Sequence, residues 1–295
     1  MRKPFLDCHP IVNFIFYVGA FVMGMCLLHP LFLSISLTMA LACFLLIEQK
    51  KAAFLLYMLT FGTLIAVINP LFNTQGTHIL FTYFQGRPYT LEALCYGIAL
   101  GAMFVTILIW FATYQKVMTS DKFLFCFGRM APAASLILTM VFRLVPNFQR
   151  KVKQITDARC CIGKSAECGT RKEKATQGTA VVSVLTSWAL EGGIMMSDSM
   201  QSRGFGSGRR THFSIYRLET RDKQLLIFMI AACAMVCLSV WKGGTAVTYT
   251  PEIFFSEIKS LWTLLGAVFY FLFLSIPTTM YILEELTWRI LKSKI

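Results

Sequence analysis

The chain has 295 residues, of which 56% are hydrophobic and 15% charged, against about a quarter charged in an average soluble domain. That balance excludes a disordered chain, a coiled coil and an ordinary soluble enzyme, and it points to a polytopic membrane protein. The net charge of +13 is therefore read by its position along the chain before any nucleic-acid role is attached to it. Ten cysteines sit mostly singly within apolar runs, among them Cys26, Cys43, Cys95, Cys233 and Cys237, as small buried hydrophobes rather than a disulfide framework.

Six segments approach the roughly 20 apolar residues that a spanning helix needs: 11–28, 30–47, 53–69, 93–113, 224–241 and 259–283. His29-Pro30 leaves room only for a tight turn between the first two. Met1-Arg2-Lys3 leads into a long apolar stretch without a small-residue cleavage site, so no removable signal peptide is expected. The span interiors lack acids and bases; Asn13 and Pro277 are their notable departures. That argues against a self-sufficient pump or secondary transporter. Gly97 and Gly101 form a small-xxx-small face suited to close packing on a helix of this chain or of a partner.

Basic residues favour the cytoplasmic side. With the N-terminus inside, Arg2, Lys3, Lys50, Lys51, the 18 basic residues of 114–223, Arg289, Lys292 and Lys294 are all cytoplasmic, 25 of the 28. Only Arg87, Lys242 and Lys259 fall outside. The expected architecture is an all-α polytopic membrane protein of about six transmembrane helices, both termini cytoplasmic, with two long amphipathic cytoplasmic helices between spans four and five. It divides into a four-span part (1–113), a cytoplasmic or interfacial region (114–223) and a two-span part (224–295).

Residues 114–223 are too many for an ordinary loop. Met130–Phe142 is apolar but too short to span, and reads as an interfacial or re-entrant helix. Pro146 is expected to open the next helix, where its missing N–H costs nothing. Phe148, Val152, Ile155, Arg159 and Ile162 fall on one stripe, with Arg150, Lys151, Gln154 and Asp157 off it and Gly163 as the stop. Lys164 to Gln177 reads as a solvated linker within reach of anionic headgroups. A second helix is expected over about 178–203, with Val181, Leu185, Trp188, Gly192, Met195, Ser199 and Arg203 in its stripe and Gly204 at its end. Gly192-Gly193 marks a bend or the close approach of another backbone.

Each helix thus ends in an arginine preceded by a small residue, Ala158-Arg159 and Ser202-Arg203. The helix dipole favours a cation there, and a cap or a lipid phosphate accounts for one such arginine. Two in corresponding places point to docking prongs: a guanidinium binds a partner's carboxylate bidentately, and the adjoining stripe fills a groove.

The order Arg143-Leu144-Val145-Pro146, Asp157-Ala158-Arg159 and Met200-Gln201-Ser202-Arg203-Gly204-Phe205-Gly206 resembles the transmembrane coupling protein, the T component, of energy-coupling factor transporters. The motifs agree over residues 93–215, and six spans fit the whole chain. The resemblance implies that Ala158-Arg159-Cys160 and Ser202-Arg203-Gly204 couple to ATPases, with Cys160 where the family usually has glycine. Arg143 and Pro146 at the start of the first coupling helix, and Trp188, Met195 and Asp198 along the second, are the supporting residues. It further implies a non-catalytic subunit of an importer in a prokaryotic plasma membrane. Two cytoplasmic ATP-binding-cassette ATPases bind ATP and each hold one coupling helix. Their closure tilts a separate substrate-binding membrane subunit, the S component, which carries a vitamin or a transition-metal ion.

The residues themselves accord with a chain that holds no cofactor. There is no Gly-x-x-x-x-Gly-Lys-Ser/Thr, and the glycine-rich run 204–208 follows a helix rather than a strand, so no nucleotide site is expected. His9, His29, His78 and His212 lack ligand spacing, and Cys160, Cys161 and Cys168 lack a Cys-x-x-Cys pair, so no metal site is expected. Glu191 and Asp198 share a helix face and balance nearby basic charge; no nucleophile–base constellation accompanies them. The basic middle lacks the aromatic interleaving of a nucleic-acid surface. The alternatives are a conventional permease half that binds substrate in its own spans, a membrane scaffold, and a membrane-embedded transferase, whose Asp-rich motifs are absent.

Overall fold

His9-Pro10 and His29-Pro30 start the first two long helices in the same way. Each imidazole accepts a hydrogen bond through Nδ1 from the backbone N–H two residues on, Ile11 and Leu31, both at 3.3 Å. The proline then takes the first helical position, where no N–H is needed. The structure, a computed structural model, describes residues 4–47, 52–83, 87–128, 131–163, 170–208, 216–249, 254–255 and 260–293. Arg2, Lys3, Lys50, Lys51, Lys164, Cys168, Arg209, Arg210, His212, Lys259 and Lys294, on which parts of the charge, linker and metal readings rest, lie outside the described residues.

In chain order the elements are α1 (Pro4–Asp7), α2 (Pro10–Cys26), α3 (Pro30–Ile47), α4 (Ala52–Phe72), β1 (Ile79–Tyr83), β2 (Arg87–Thr90), α5 (Leu91–Val117), α6 (Ser120–Gly128), α7 (Pro132–Cys161), α8 (Arg171–Ser202), α9 (Thr220–Trp241), β3 (Val247–Thr248), β4 (Phe254–Phe255) and α10 (Leu261–Ser293). The protein is an all-α polytopic membrane protein with two small antiparallel hairpins. The helices long and apolar enough to cross a bilayer are α3, α4, α5, α8, α9 and α10; α2 is apolar but shorter. All but the first of the six expected spans therefore match a helix of full length, and α8 meets the same test although the sequence pattern reads as a cytoplasmic helix.

The chain forms two compact units, one of residues 1–126 with 216–295 and one of residues 127–215. The first is built around α2, α3, α5, α9 and α10. Phe16 of α2 stacks on Phe273 of α10 at 5.3 Å and meets Trp110 of α5 edge-on at 5.6 Å, all three fully buried. Without a hydrophobic drive between helices in lipid, association rests on such close packing. Asn13 is buried in the same bundle. Pro277 lies inside α10, which runs on to Ser293. Its neighbours Ser275 and Thr278 turn their hydroxyls back onto carbonyls of the preceding turn, as membrane helices with internal prolines do.

The glycines of α5 are used within the chain. A Cβ on Gly101 would lie 2.6 Å from the Gly62 carbonyl oxygen of α4, and one on Gly97 would lie 2.7 Å from that of Ala66. The small-xxx-small face thus brings α4 and α5 backbone to backbone. Beyond α4, the Glu92 carboxylate, buried at the start of α5, accepts from the Thr77 hydroxyl and the His78 N–H, each at 3.0 Å. An acid suits a helix N-terminus, and here it also clasps the connecting segment. On the adjoining hairpin Phe81 stacks on Tyr89 at 4.6 Å.

The second unit is dominated by α7 and α8. The apolar run expected as a separate interfacial helix and the helix expected to open at Pro146 are one helix. It starts with Pro132 in its first turn and holds Pro146 in its interior. Proline is favoured in that first turn, so Pro132 carries the start signal that the sequence reading assigned to Pro146. Likewise α8 begins at Arg171, inside the stretch expected as a linker. Glu173 closes that start by accepting from the Thr170 N–H at 2.8 Å, one half of a capping box.

Candidate functional site

Both long helices of the second unit stop at a glycine in the left-handed region, Gly163 at φ +75° and Gly204 at φ +79°. At the end of α8 the Gly204 N–H donates to the Gln201 carbonyl and the Phe205 N–H to that of Met200, the paired bonds of a Schellman termination. At the end of α7 the Gly163 N–H donates to the Cys160 carbonyl at 3.0 Å. A side chain would be strained at either position, so the two ends are set by sequence.

The arginines do not hold equivalent places at these ends. Arg203 is the capping residue, directly before its glycine. Arg159 lies four residues before Gly163, because α7 continues through Cys160 and Cys161. Arg203 is exposed; Arg159 is half-buried and donates from Nη2 to the side-chain oxygen of Gln177 on α8. Ala158, Cys160 and Ser202 are exposed. The Ser202 hydroxyl is turned back onto the Ser199 carbonyl at 3.0 Å.

Farther along, Phe148 meets Trp188 edge-on at 5.7 Å, and the Lys151 ammonium sits 5.5 Å over the same indole. Phe148 to Arg159 is eleven residues up α7, and Trp188 to Gln177 is eleven residues back along α8. The helices therefore pair antiparallel in a single register. Arg159 sits beside the first turns of α8, and Arg203 ends the same helix 26 residues beyond Gln177, about 39 Å away at 1.5 Å per residue. The two signatures mark opposite ends of one helical pair.

Of the supporting residues, only Trp188 enters the contact between the helices. Arg143 and Pro146 are exposed along α7, and Met195 and Asp198 are exposed on α8. The packed stripe follows Val181, Leu185 and Trp188 as expected, then drifts to Met196 and Met200 instead of Met195 and Ser199. Ile162 is likewise exposed, off the packed face. Lys151, expected off the stripe, lies over Trp188 because its long stem lets the charge reach the ring face. Gln177 was not singled out from the sequence; its position four residues before Val181, on the same face, is the signal that places it.

No residue of α7 or α8 is buried. Ile137, Val141 and Val145 on α7 and Val182, Leu190 and Ile194 on α8 are among the large apolar side chains left exposed. Among the described residues no group of three His, Cys, Asp or Glu is placed to hold a metal, and Arg289 pairs with Glu285 on α10. Comparison of the chain with protein-family models and with curated proteins finds no match.

Proposed function

We propose that this chain is the membrane-embedded coupling subunit of an ATP-driven importer, of the energy-coupling factor T type. The observation that carries the reading is the α7–α8 pair, which lacks buried residues, exposes apolar side chains along both helices, and ends its two glycine-terminated helices with arginines about 39 Å apart along α8. A surface of that kind calls for a partner. Two arginines so far apart suit two separate carboxylate sites, one on each of two cytoplasmic ATPases, each bound by a guanidinium and the apolar surface beside it. ATP is bound by those ATPases, and their closure moves the α7–α8 pair and, through the membrane unit, a substrate-binding membrane subunit for a vitamin or a transition-metal ion.

In this reading α8 does not cross the bilayer despite its length. Its apolar stretch from Gln177 to Trp188 is held beside the segment of α7 that carries Arg150, Lys151, Lys153, Asp157 and Arg159. Burying that stretch in hydrocarbon would draw those charges in with it, at about 2.5–3.5 kcal/mol each. With α2 spanning as the shortest helix, six crossings leave both termini in the cytoplasm, in line with the distribution of basic residues.

The test is purification of the full-length chain from membranes in mild detergent, with mass spectrometry of what accompanies it. Two ATP-binding-cassette subunits and a small hydrophobic membrane subunit, with the ATPases lost on Arg203→Glu, are expected. A chain that purifies alone, with the variant indistinguishable, contradicts the reading.

A further inference from the structure

The last turns of α10 carry a surface that the coupling role does not use. Through Met280 one face of this helix is packed in the bundle, with Tyr270, Phe273 and Leu274 buried, while Leu264, Val268 and Phe271 on the other face are exposed. The exposed face is covered over one turn at Ser275 and Thr278 and opens again at Thr279. Beyond Met280 the two faces diverge in composition. Around one side come Glu284, Trp288, Lys292 and Glu285, with Arg289, about five turns beyond Phe271, at the border with the apolar arc. Ile282 and Leu286, about five turns beyond Leu264 and Val268, stay apolar, and Ile290 extends that arc; the three are 48%, 50% and 57% exposed. A helix merely entering water would turn polar all round. This one stays amphipathic, with an apolar arc through Ile282, Leu286 and Ile290 opposite an arc that holds Glu284, Glu285, Trp288 and Lys292.

Length supports the same conclusion. From Leu261 to Ile290 the helix rises about 44 Å at 1.5 Å per residue, against about 30 Å for the hydrocarbon core and about 40–45 Å for a bilayer with its headgroups. An upright α10 carries Leu286 and Ile290 into the interfacial layer of the leaflet where it ends. The charged arc is self-compensating: Arg289 pairs with Glu285 at 2.6 Å and the Trp288 indole N–H donates to Glu284 at 3.4 Å. Glu284, Glu285, Arg289 and Lys292 sum to no net charge, so no anionic lipid is required.

We infer that residues 282–292 form an interfacial anchor whose apolar arc, Ile282, Leu286 and Ile290, is occupied by phospholipid acyl chains, while Trp288 and the charged arc face headgroups and water. This holds whichever leaflet α10 ends in and does not depend on the coupling role. The test uses the full-length chain in phosphatidylcholine nanodiscs containing a phosphatidylcholine with an aryl-diazirine on its acyl chain near the glycerol. After irradiation, mass spectrometry maps the modified residues. Label at Leu286 and Ile290 comparable to that at Leu264 and Val268, with loss of label at Trp288 and Lys292, is expected. Label that stops at Ile282, or that falls on both arcs alike, overturns the anchor. Label at Leu286 and Ile290 that appears only when phosphatidylglycerol replaces phosphatidylcholine overturns the neutral-headgroup argument.

Discussion

The Arg159 guanidinium donates to the Gln177 side chain across the α7–α8 pair. This bond ties the first signature to the beginning of α8, whereas Arg203 caps the end of the same helix. It also means that Arg159 is engaged within the chain, and binding a partner's carboxylate requires it to leave Gln177. Gln177→Ala removes the competitor. Such a hydrogen bond contributes about 1 kcal/mol net, so the variant is expected to bind its ATPase roughly fivefold more tightly, measured by titrating purified ATPase onto the detergent-solubilised chain. Unchanged or weaker binding would mean that Gln177 holds Arg159 in its binding position.

Trp188 is the main contact between the two helices. Its edge-on pairing with Phe148 carries about 0.5–1.5 kcal/mol beyond area burial, and the Lys151 ammonium over the ring adds about 0.5–1 kcal/mol at a half-exposed site. Trp188→Ala is expected to raise amide exchange throughout α7 and α8 while leaving α3, α5 and α10 protected. The double change Phe148→Ala with Trp188→Ala is expected to show a coupling of about 1 kcal/mol. Additive single effects would mean that the ring contact does not hold the pair.

How far the architecture was legible in the sequence follows from which signals are local. Apolar runs of full span length survive any detail of packing, so α3, α4, α5, α9 and α10 are visible in composition alone. Helix stops are visible because Gly163 and Gly204 occupy positions that only glycine takes without strain. Helix starts were less so. Pro146 and Pro132 carry the same chemical signal, and the structure uses Pro132. Thr170-Arg171-Lys172-Glu173 carries a capping box that the surrounding charge disguised as linker. The unequal placement of Arg159 and Arg203 was not legible, because matching tripeptides do not reveal how many residues each helix runs beyond them. Neither was the register of α7 on α8, which depends on which side chains meet across 18 to 40 residues of chain.

The glycines separate into two kinds with opposite expected effects. Gly101→Ala places a Cβ against the Gly62 carbonyl at 2.6 Å, so α4 must move off α5, at a cost of about 1–3 kcal/mol for overpacking. Gly192→Ala and Gly193→Ala meet nothing within 4 Å, so each is expected to stabilise α8 by about 0.5–1 kcal/mol. Thermal unfolding in detergent together with exchange protection of α4 and α8 distinguishes the two. Destabilisation by Gly192→Ala would mean that α8 needs the residue for a bend.

His9 makes stability depend on pH. Burial holds its pKa below the ordinary 6.5, against an opposing pull from Asp222. Its neutral Nδ1 caps α2, beside the rings of Phe125 and Tyr216 at 5.3 and 6.5 Å. The folded state favours the neutral ring, so its contribution is full above pH 6.5 and is lost as pH falls from there through the lowered folded value. The melting temperature is expected to drop between neutral and mildly acidic pH. His9→Asn, which keeps a capping oxygen without a titrating group, is expected to flatten that dependence. An equal drop in the variant would place its origin elsewhere.

The two signatures are expected to engage two different ATPases. Native mass spectrometry of the purified complex, wild type beside Arg159→Glu, Arg203→Glu and the double variant, tests it most directly. Two ATPase subunits on the wild type, one on each single variant and none on the double variant are predicted. Loss of both subunits from either single variant, or full occupancy of the double variant, would contradict it.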